Sequence, residues 1–310
     1  MELKPLETTV TKDAFVKRSV KVVKTPQVKV HKLSDYADRC VKILVFGESG
    51  SGKTMGLVGL LRAGLKILII STDVGGDGLA TVYAELKRSG EEKLLENAYV
   101  ISGLITYDDV YSFLSDPKEV WPEIYDMDID MVAWDGFSGF QLVQLQDHIG
   151  EDLAPEDSNT RRVSDVRKEG LKLEQQDWGA IKNATVKALT KFLNLNNPVT
   201  GKVWHKYMTC LEAEKERLLQ VNDGDKPRYE EKKTLLIQGA AKKLVEAAFD
   251  IVIEARAVLE RGDEGKKRVY QYHTQPHEKL TAKARGVQLE PIEKPDMAAI
   301  WQKTREQLGL

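Results

Sequence analysis

Val41-Lys42-Ile43-Leu44-Val45-Phe46-Gly47-Glu48-Ser49-Gly50-Ser51-Gly52-Lys53-Thr54 decides the reading of this chain. An apolar run of strand character delivers the backbone into G-x-x-x-x-G-K-T, and Met55-Gly56-Leu57-Val58-Gly59-Leu60-Leu61 follows with helix-compatible composition. Glycines let the backbone curl until successive N–H groups converge on one centre. The helix that follows adds the positive end of its dipole. Gly47, Glu48, Ser49, Gly50, Ser51 and Gly52 therefore read as a phosphate cradle. Lys53 would reach the β- and γ-phosphates, and the Thr54 hydroxyl would sit on Mg²⁺. The expected ligand is a nucleoside triphosphate, ATP with Mg²⁺.

Bulk properties bound the rest. A chain of 310 residues holds one large α/β domain with appendages, or two modest domains. Forty-six basic residues stand against 48 acidic ones, a net of −2, so no global field recruits nucleic acid and any such binding must come from local patches. Cys40 and Cys210 lie too far apart for metal-ligand spacing and read as thiols in a reducing compartment. No run approaches the roughly 18 apolar residues of a spanning helix. Met1-Glu2-Leu3-Lys4-Pro5 is no secretory signal. The expectation is a soluble cytoplasmic protein without membrane association.

Residues 1–40 are polar and read as an N-terminal arm, with Val20-Lys21-Val22-Val23-Lys24 and Val28-Lys29-Val30 as short edge strands. Lys66-Ile67-Leu68-Ile69-Ile70-Ser71-Thr72-Asp73 and Asp130-Met131-Val132-Ala133-Trp134-Asp135 are continuous apolar runs, which suit strands buried on both faces. Further strands are expected at 98–102, 203–209, 249–254 and 268–274. Helices are expected at 79–88, at 108–125 with interruptions at Pro117 and Pro122, at 240–248, and at 295–310. Another amphipathic helix carries Trp178, Ile181, Thr185, Leu189 and Phe192 on one face. Residues 141–176 and 212–233 lack apolar periodicity and read as charged loops. Strand–helix alternation predicts a mainly parallel, doubly wound α/β sheet.

Nucleotide hydrolysis needs a carboxylate for Mg²⁺, a base or water positioner, and cations for transition-state charge. Asp135 closes a hydrophobic strand, where a rigid carboxylate can hold Mg²⁺; before Gly136 it also suits a turn. Asp73 ends the strand after the loop and could orient the attacking water, with Asp77 as the substitute. The Val74-Gly75-Gly76-Asp77-Gly78 turn explains an Asp there equally well. Thr209 could sense the γ-phosphate, but a β-branched residue in a strand needs no such reason. Lys283 and Arg285, spaced i, i+2, would project together and could clamp phosphate from outside the pocket.

The order of these parts resembles the RecA-like ATPases. Gly47–Thr54 matches their Walker A, Leu68–Asp73 resembles the strand ending in their catalytic glutamate, and Met131–Asp135 resembles Walker B. Asp73 is one methylene shorter than that glutamate. Lys283-Ala284-Arg285-Gly286 is similar to the K-x-R finger that some branches insert into a neighbour's ATP site. Gln176-Asp177-Trp178-Gly179, Phe249-Asp250 before a strand, and the late Lys-x-Arg look most like the phage-encoded Sak recombination or annealing ATPases. This resemblance implies an ATPase core over residues 41–290, a C-terminal helix over 291–310, and a ring or filament of identical subunits in the host cytoplasm. It also implies contact with single-stranded DNA, and possible company of a single-stranded-DNA-binding protein. The contacts would come from Arg161, Arg162, Arg167 and Lys168 in one charged segment. Lys215, Arg217, Lys226, Arg228, Lys232 and Lys233 would serve in the other, where only Tyr229 could stack a base. An ATP-driven protein remodeller with the same core, or a P-loop kinase, is the alternative.

Overall fold

Parity along three strands organises the molecule. In β1 (Lys42–Gly47), β2 (Ile67–Ser71) and β4 (Met131–Asp135) every core position is buried, and alternate side chains enter opposite layers. Leu44, Phe46, Leu68, Ile70, Val132 and Trp134 point into one core, and Ile43, Val45, Ile67, Ile69, Met131 and Ala133 into the other. The computed structural model describes residues 40–72, 77–104, 106–149, 175–218, 229–237, 241–262, 265–276 and 282–310.

Two layers of helices cover these faces. On the first core lie α3 (Tyr107–Ser115), the short α4 (Pro117–Val120), α5 (Phe137–Ile149), α6 (Gln175–Leu193) and α7 (Ala241–Ala248). On the second lie α1 (Gly56–Arg62), α2 (Asp77–Arg88) and α8 (Met297–Leu308). The remaining strands are β3 (Ala98–Ile101), β5 (His205–Leu218), β6 (Tyr229–Leu235), β7 (Ile251–Gly262), β8 (Gly265–His273), β9 (Lys283–Ala284) and β10 (Ile292–Glu293). In space the order is β10-β8-β7-β1-β5-β4-β2-β3. The stretch from β7 to β3 is parallel throughout, and β6, β8, β9 and β10 add antiparallel pairs. The sheet is mainly parallel and doubly wound, as the alternation predicts.

Several elements differ from the sequence expectation. The segment 141–176 begins as helix, because α5 runs to Ile149 and α6 starts at Gln175. The interior face of α5 carries Gln141 and Gln144, both buried, which erases its apolar period. Gln144 donates to the Ile181 carbonyl at 3.2 Å and accepts from Thr185 Oγ1 at 2.7 Å, so its amide is satisfied inside the core. Arg161, Arg162, Arg167 and Lys168 lie outside the described residues.

The second charged segment, 212–233, is largely a hairpin. β5 runs on to Leu218 and β6 returns antiparallel, with Glu212 opposite Leu235 and Leu218 opposite Tyr229. The register partners from Glu214 with Lys233 to Arg217 with Glu230 are charged on both sides, so ladder pairing sets the hairpin and the pattern carries no apolar face to read. Lys226 and Arg228 lie outside the described residues.

β5 is polar at its start for a specific reason. Lys206 is fully buried, and its ammonium donates to the Leu195 and Trp204 carbonyls at 2.7 and 2.6 Å. Burial lowers its pKa to about 8. The expected helix over 108–125 divides at Asp116, whose carboxylate caps α4 by accepting from Lys118 N–H, with Pro117 opening that helix. The strands expected at 249–254 and 268–274 are two arms of one longer hairpin, β7–β8. At the C-terminal end, Asp296 caps α8 through Ala298 and Ala299 N–H, and Met297, Ile300 and Trp301 are buried.

Candidate functional site

The carboxyl ends of the parallel strands meet along one edge of the sheet, where α/β folds hold their ligands. Gly47 ends β1 there against the backbone of β7. A Cβ at Gly47 would lie 2.2 Å from the Ala255 carbonyl oxygen, so only glycine lets the loop leave the strand along this path. Lys53 folds back over the loop, and its ammonium donates to the carbonyls of Gly47 at 2.9 Å and Glu48 at 2.6 Å. From beneath, Tyr207 OH donates to the Lys53 carbonyl at 2.7 Å. Tyr207 is buried, and burial raises its pKa well above the ordinary value, so it stays a donor.

Thr54 and Asp135 come together across the sheet. Thr54 Oγ1 lies 3.1 and 3.3 Å from the two carboxylate oxygens of Asp135, which is 2% exposed. Thr209 joins them from the intervening strand β5. Its hydroxyl donates to Asp135 Oδ1 at 2.6 Å and accepts from Gly136 N–H at 2.9 Å. On the other flank, Thr72 Oγ1 accepts from Trp134 Nε1 at 2.9 Å and donates to the Gly136 carbonyl at 3.0 Å. Thr209 on β5 and Thr72 just past the end of β2 thus fix the turn that presents Asp135. Gly78 in the first turn of α2 covers the pair: a Cβ there would lie 3.2 Å from Thr54 Oγ1 and 3.4 Å from Asp135 Oδ2.

Around this centre the sequence missed an ionic group. Lys233 of β6 lies 2.7 Å from Glu212 Oε1 and 3.5 Å from Glu48 Oε1 in the loop. Buried Glu254 at the end of the β1–β7 ladder sits 2.6 Å from Arg256 Nε. Burial raises the Glu254 pKa, while Arg256 and Lys233 oppose the rise. No sequence pattern marks this group, because its members come from three strands and the loop.

The other sequence candidates fall elsewhere. Asp73 lies outside the described residues; Ser71, two positions before it, is the register partner of Asp135. Asp77 opens α2. Lys283 lies on β9 opposite Val252, and Arg285 N–H donates to the Asp250 carbonyl at 2.9 Å. Val252 adjoins Leu44, so this pair sits toward the opposite end of the sheet from Gly47 and is not brought to the loop of its own chain. Lys283 is held below the usual lysine range by burial and by Arg285. Among the described residues, no group of three or more His, Cys, Asp or Glu could hold a metal, and no helix is long and apolar enough to cross a membrane.

In the mainly parallel sheet, the strand feeding the loop and the strand ending in Asp135 flank a single strand, β5. No family model and no curated protein matches the sequence. Among solved structures it is similar to the flagellar accessory protein FlaH from Methanocaldococcus jannaschii, with 15% identity, 75% of each chain covered and a TM-score of 0.33. For the RadB recombinase the identity is 13%, coverage 76% of this chain and 87% of that one, and the TM-score 0.36. For an ATPase from the type III secretion system of pathogenic bacteria the identity is 11%, coverage 70% and 51%, and the TM-score 0.38.

Proposed function

We propose that the protein binds and hydrolyses ATP and works as an oligomer. The observation that supports this most is the convergence of Thr54, Asp135 and Thr209 beside the phosphate loop. Lys53 and the loop amides would hold the β- and γ-phosphates, with the ammonium exchanging its two carbonyl partners for phosphate oxygens. The hydroxyl of Thr54 and the carboxylate of Asp135 form a hard oxygen pair, which fits Mg²⁺. Bound there, Mg²⁺ would neutralise charge on the β- and γ-phosphate oxygens.

Asp73, close in sequence to the register partner of Asp135, is the proposed water positioner, with Asp77 as the substitute. Water oxygen bonds to the γ-phosphorus, the bond from phosphorus to the ADP oxygen breaks, and the carboxylate takes the water proton. Lys283 and Arg285 sit away from their own loop, which supports a role at the site of an adjacent subunit in a ring or filament.

The finer assignment follows the sequence resemblance: a phage recombination or annealing ATPase acting on single-stranded DNA, with a single-stranded-DNA-binding protein as a further partner. Of the proposed DNA contacts, Lys233 is engaged by Glu212 and Glu48.

ATP binding and turnover in wild type and Lys53→Ala, with single-stranded DNA present or absent at two salt concentrations, test the reading. Expected are loss of binding in the variant and salt-sensitive stimulation of wild-type turnover by DNA. Wild-type turnover by Lys53→Ala overturns the site. A rate indifferent to DNA at both salts removes the DNA assignment and favours a protein-remodelling ATPase. Phosphoryl transfer to an acceptor would indicate a kinase.

A further inference from the structure

We propose, on the phosphate-loop reading above, that Lys233 is a further cation for the γ-phosphate, supplied by the β5–β6 hairpin of the same chain. On binding of a nucleoside triphosphate its ammonium leaves Glu48 and pairs with γ-phosphate oxygens, while Glu212 keeps hold of it. Pairing register gives the placement. Leu211 of β5 is the register partner of Gly47, where the loop begins, and Glu212 is the next residue along β5. Lys233 stands opposite Glu214, yet its ammonium reaches back along the hairpin to Glu212 Oε1 at 2.7 Å and Glu48 Oε1 at 3.5 Å. It therefore lies at the carboxyl ends of β1 and β5. Lys53 meets the same loop residue from its backbone side, donating to the Glu48 carbonyl at 2.6 Å. Two ammonium groups thus converge on Glu48, one at its carbonyl and one at its carboxylate.

The two contacts of Lys233 differ in strength, which makes one of them exchangeable. The Glu212 side chain is 5% exposed and sits at close hydrogen-bonding distance. Glu48 is 66% exposed, and its 3.5 Å contact is long and screened by water. Burial lowers the Lys233 pKa, but the hydrogen bond and charge of Glu212 outweigh it, with Glu254 and Glu48 adding to the rise. The side chain therefore stays charged, and at 26% exposure it is within reach of a ligand. A terminal phosphate carries more charge than one carboxylate and more acceptor oxygens, so it displaces Glu48 from the ammonium. A diphosphate ends one phosphate short and leaves the Glu48 pair in place. Among the described residues Lys233 is the ion-pair partner of both Glu48 and Glu212, whereas Glu254 has Arg256. Without Lys233, two uncompensated carboxylates would face an incoming triphosphate.

The ratio of triphosphate to diphosphate affinity is the readout. Calorimetric titration with the β,γ-imido analogue of ATP and with ADP, both with Mg²⁺, is run on wild type, Lys233→Met, Lys233→Arg and a double variant, Lys233→Met with Glu212→Gln. In Lys233→Met the analogue should lose about tenfold or more in affinity, while ADP stays within about twofold. Lys233→Arg keeps the charge and should preserve the wild-type ratio. The double variant removes the buried carboxylate that Lys233→Met leaves unpaired, so it reads the phosphate contact even if the single variant folds poorly. It should show the same selective loss. Equal losses for the analogue and ADP overturn the proposal, because Lys233 would then merely support the loop. No loss for either ligand overturns it too, and returns Lys233 to the candidate DNA contacts. Failure of wild type to bind either ligand overturns the phosphate-loop reading itself, a result distinct from a lost preference for the triphosphate.

Discussion

Thr209 Oγ1 donates to Asp135 Oδ1 at 2.6 Å while accepting from Gly136 N–H at 2.9 Å, so β5 holds both the carboxylate and the turn behind it. Thr209→Val keeps the shape and removes the hydroxyl. It leaves a buried carboxylate oxygen short of one donor and an amide N–H short of its acceptor, at a cost of about 1–3 kcal/mol in stability. The carboxylate also loses its orientation toward Thr54. Nucleotide affinity should therefore fall in the presence of Mg²⁺ and match wild type in EDTA, with Thr209→Ser restoring both affinity and stability. Titrations with and without the metal decide; an equal drop under both conditions would place the effect on the loop and not on Asp135.

How much of this was legible depends on where each residue sits. β1, β2 and β4 announce themselves because burial on both faces demands unbroken apolar runs, and a strand-end Asp135 follows directly from one of them. α5 is hidden because two buried glutamines occupy its core face. The β5–β6 hairpin is hidden because its order comes from backbone pairing among charged residues, which leaves no period. Thr209 looks like any β-branched strand residue; only the adjacency of β5 and β4 gives it a partner. The Lys283–Arg285 spacing is visible, yet its place beside Ile251 and Val252 follows from the return of the chain after the β7–β8 hairpin.

Arg285 is exposed and Lys283 half-buried, at the end of β7 where that strand begins. Arg285→Ala should leave ATP affinity within about twofold of wild type, because its own loop lies at the other end of β1. Turnover should fall by roughly a thousandfold or more, the range for loss of an arginine on a transferring phosphoryl group. Mixing the variant with Lys53→Ala should recover activity, since a mixed assembly pairs an intact loop with an intact arginine. Rate measurements over mixing ratios check this; no recovery at any ratio would show that Arg285 does not act across a subunit boundary.

His205 links stability to pH. Its Nδ1 accepts from Val41 N–H at 3.1 Å, and its ring meets Trp301 of α8 edge-on with centroids 4.8 Å apart. Burial, and then the Lys206 charge, lower its pKa to about 4; Arg305 and Lys202 act the same way, and Asp130 opposes them. A protonated ring could not accept from Val41, so the folded state prefers neutral His205. In the unfolded chain the imidazole titrates near an ordinary pKa of about 6.5. Between those two values the unfolded chain binds more protons, so the stabilisation is complete above about pH 6.5 and is lost as pH falls toward 4. The loss amounts to at most about 3 kcal/mol. His205→Asn keeps an acceptor near Val41 and removes the titration. Urea unfolding between pH 7 and pH 4.5 should show a falling stability in wild type and a flatter profile in the variant. An identical slope in both proteins would assign the acid sensitivity to another group.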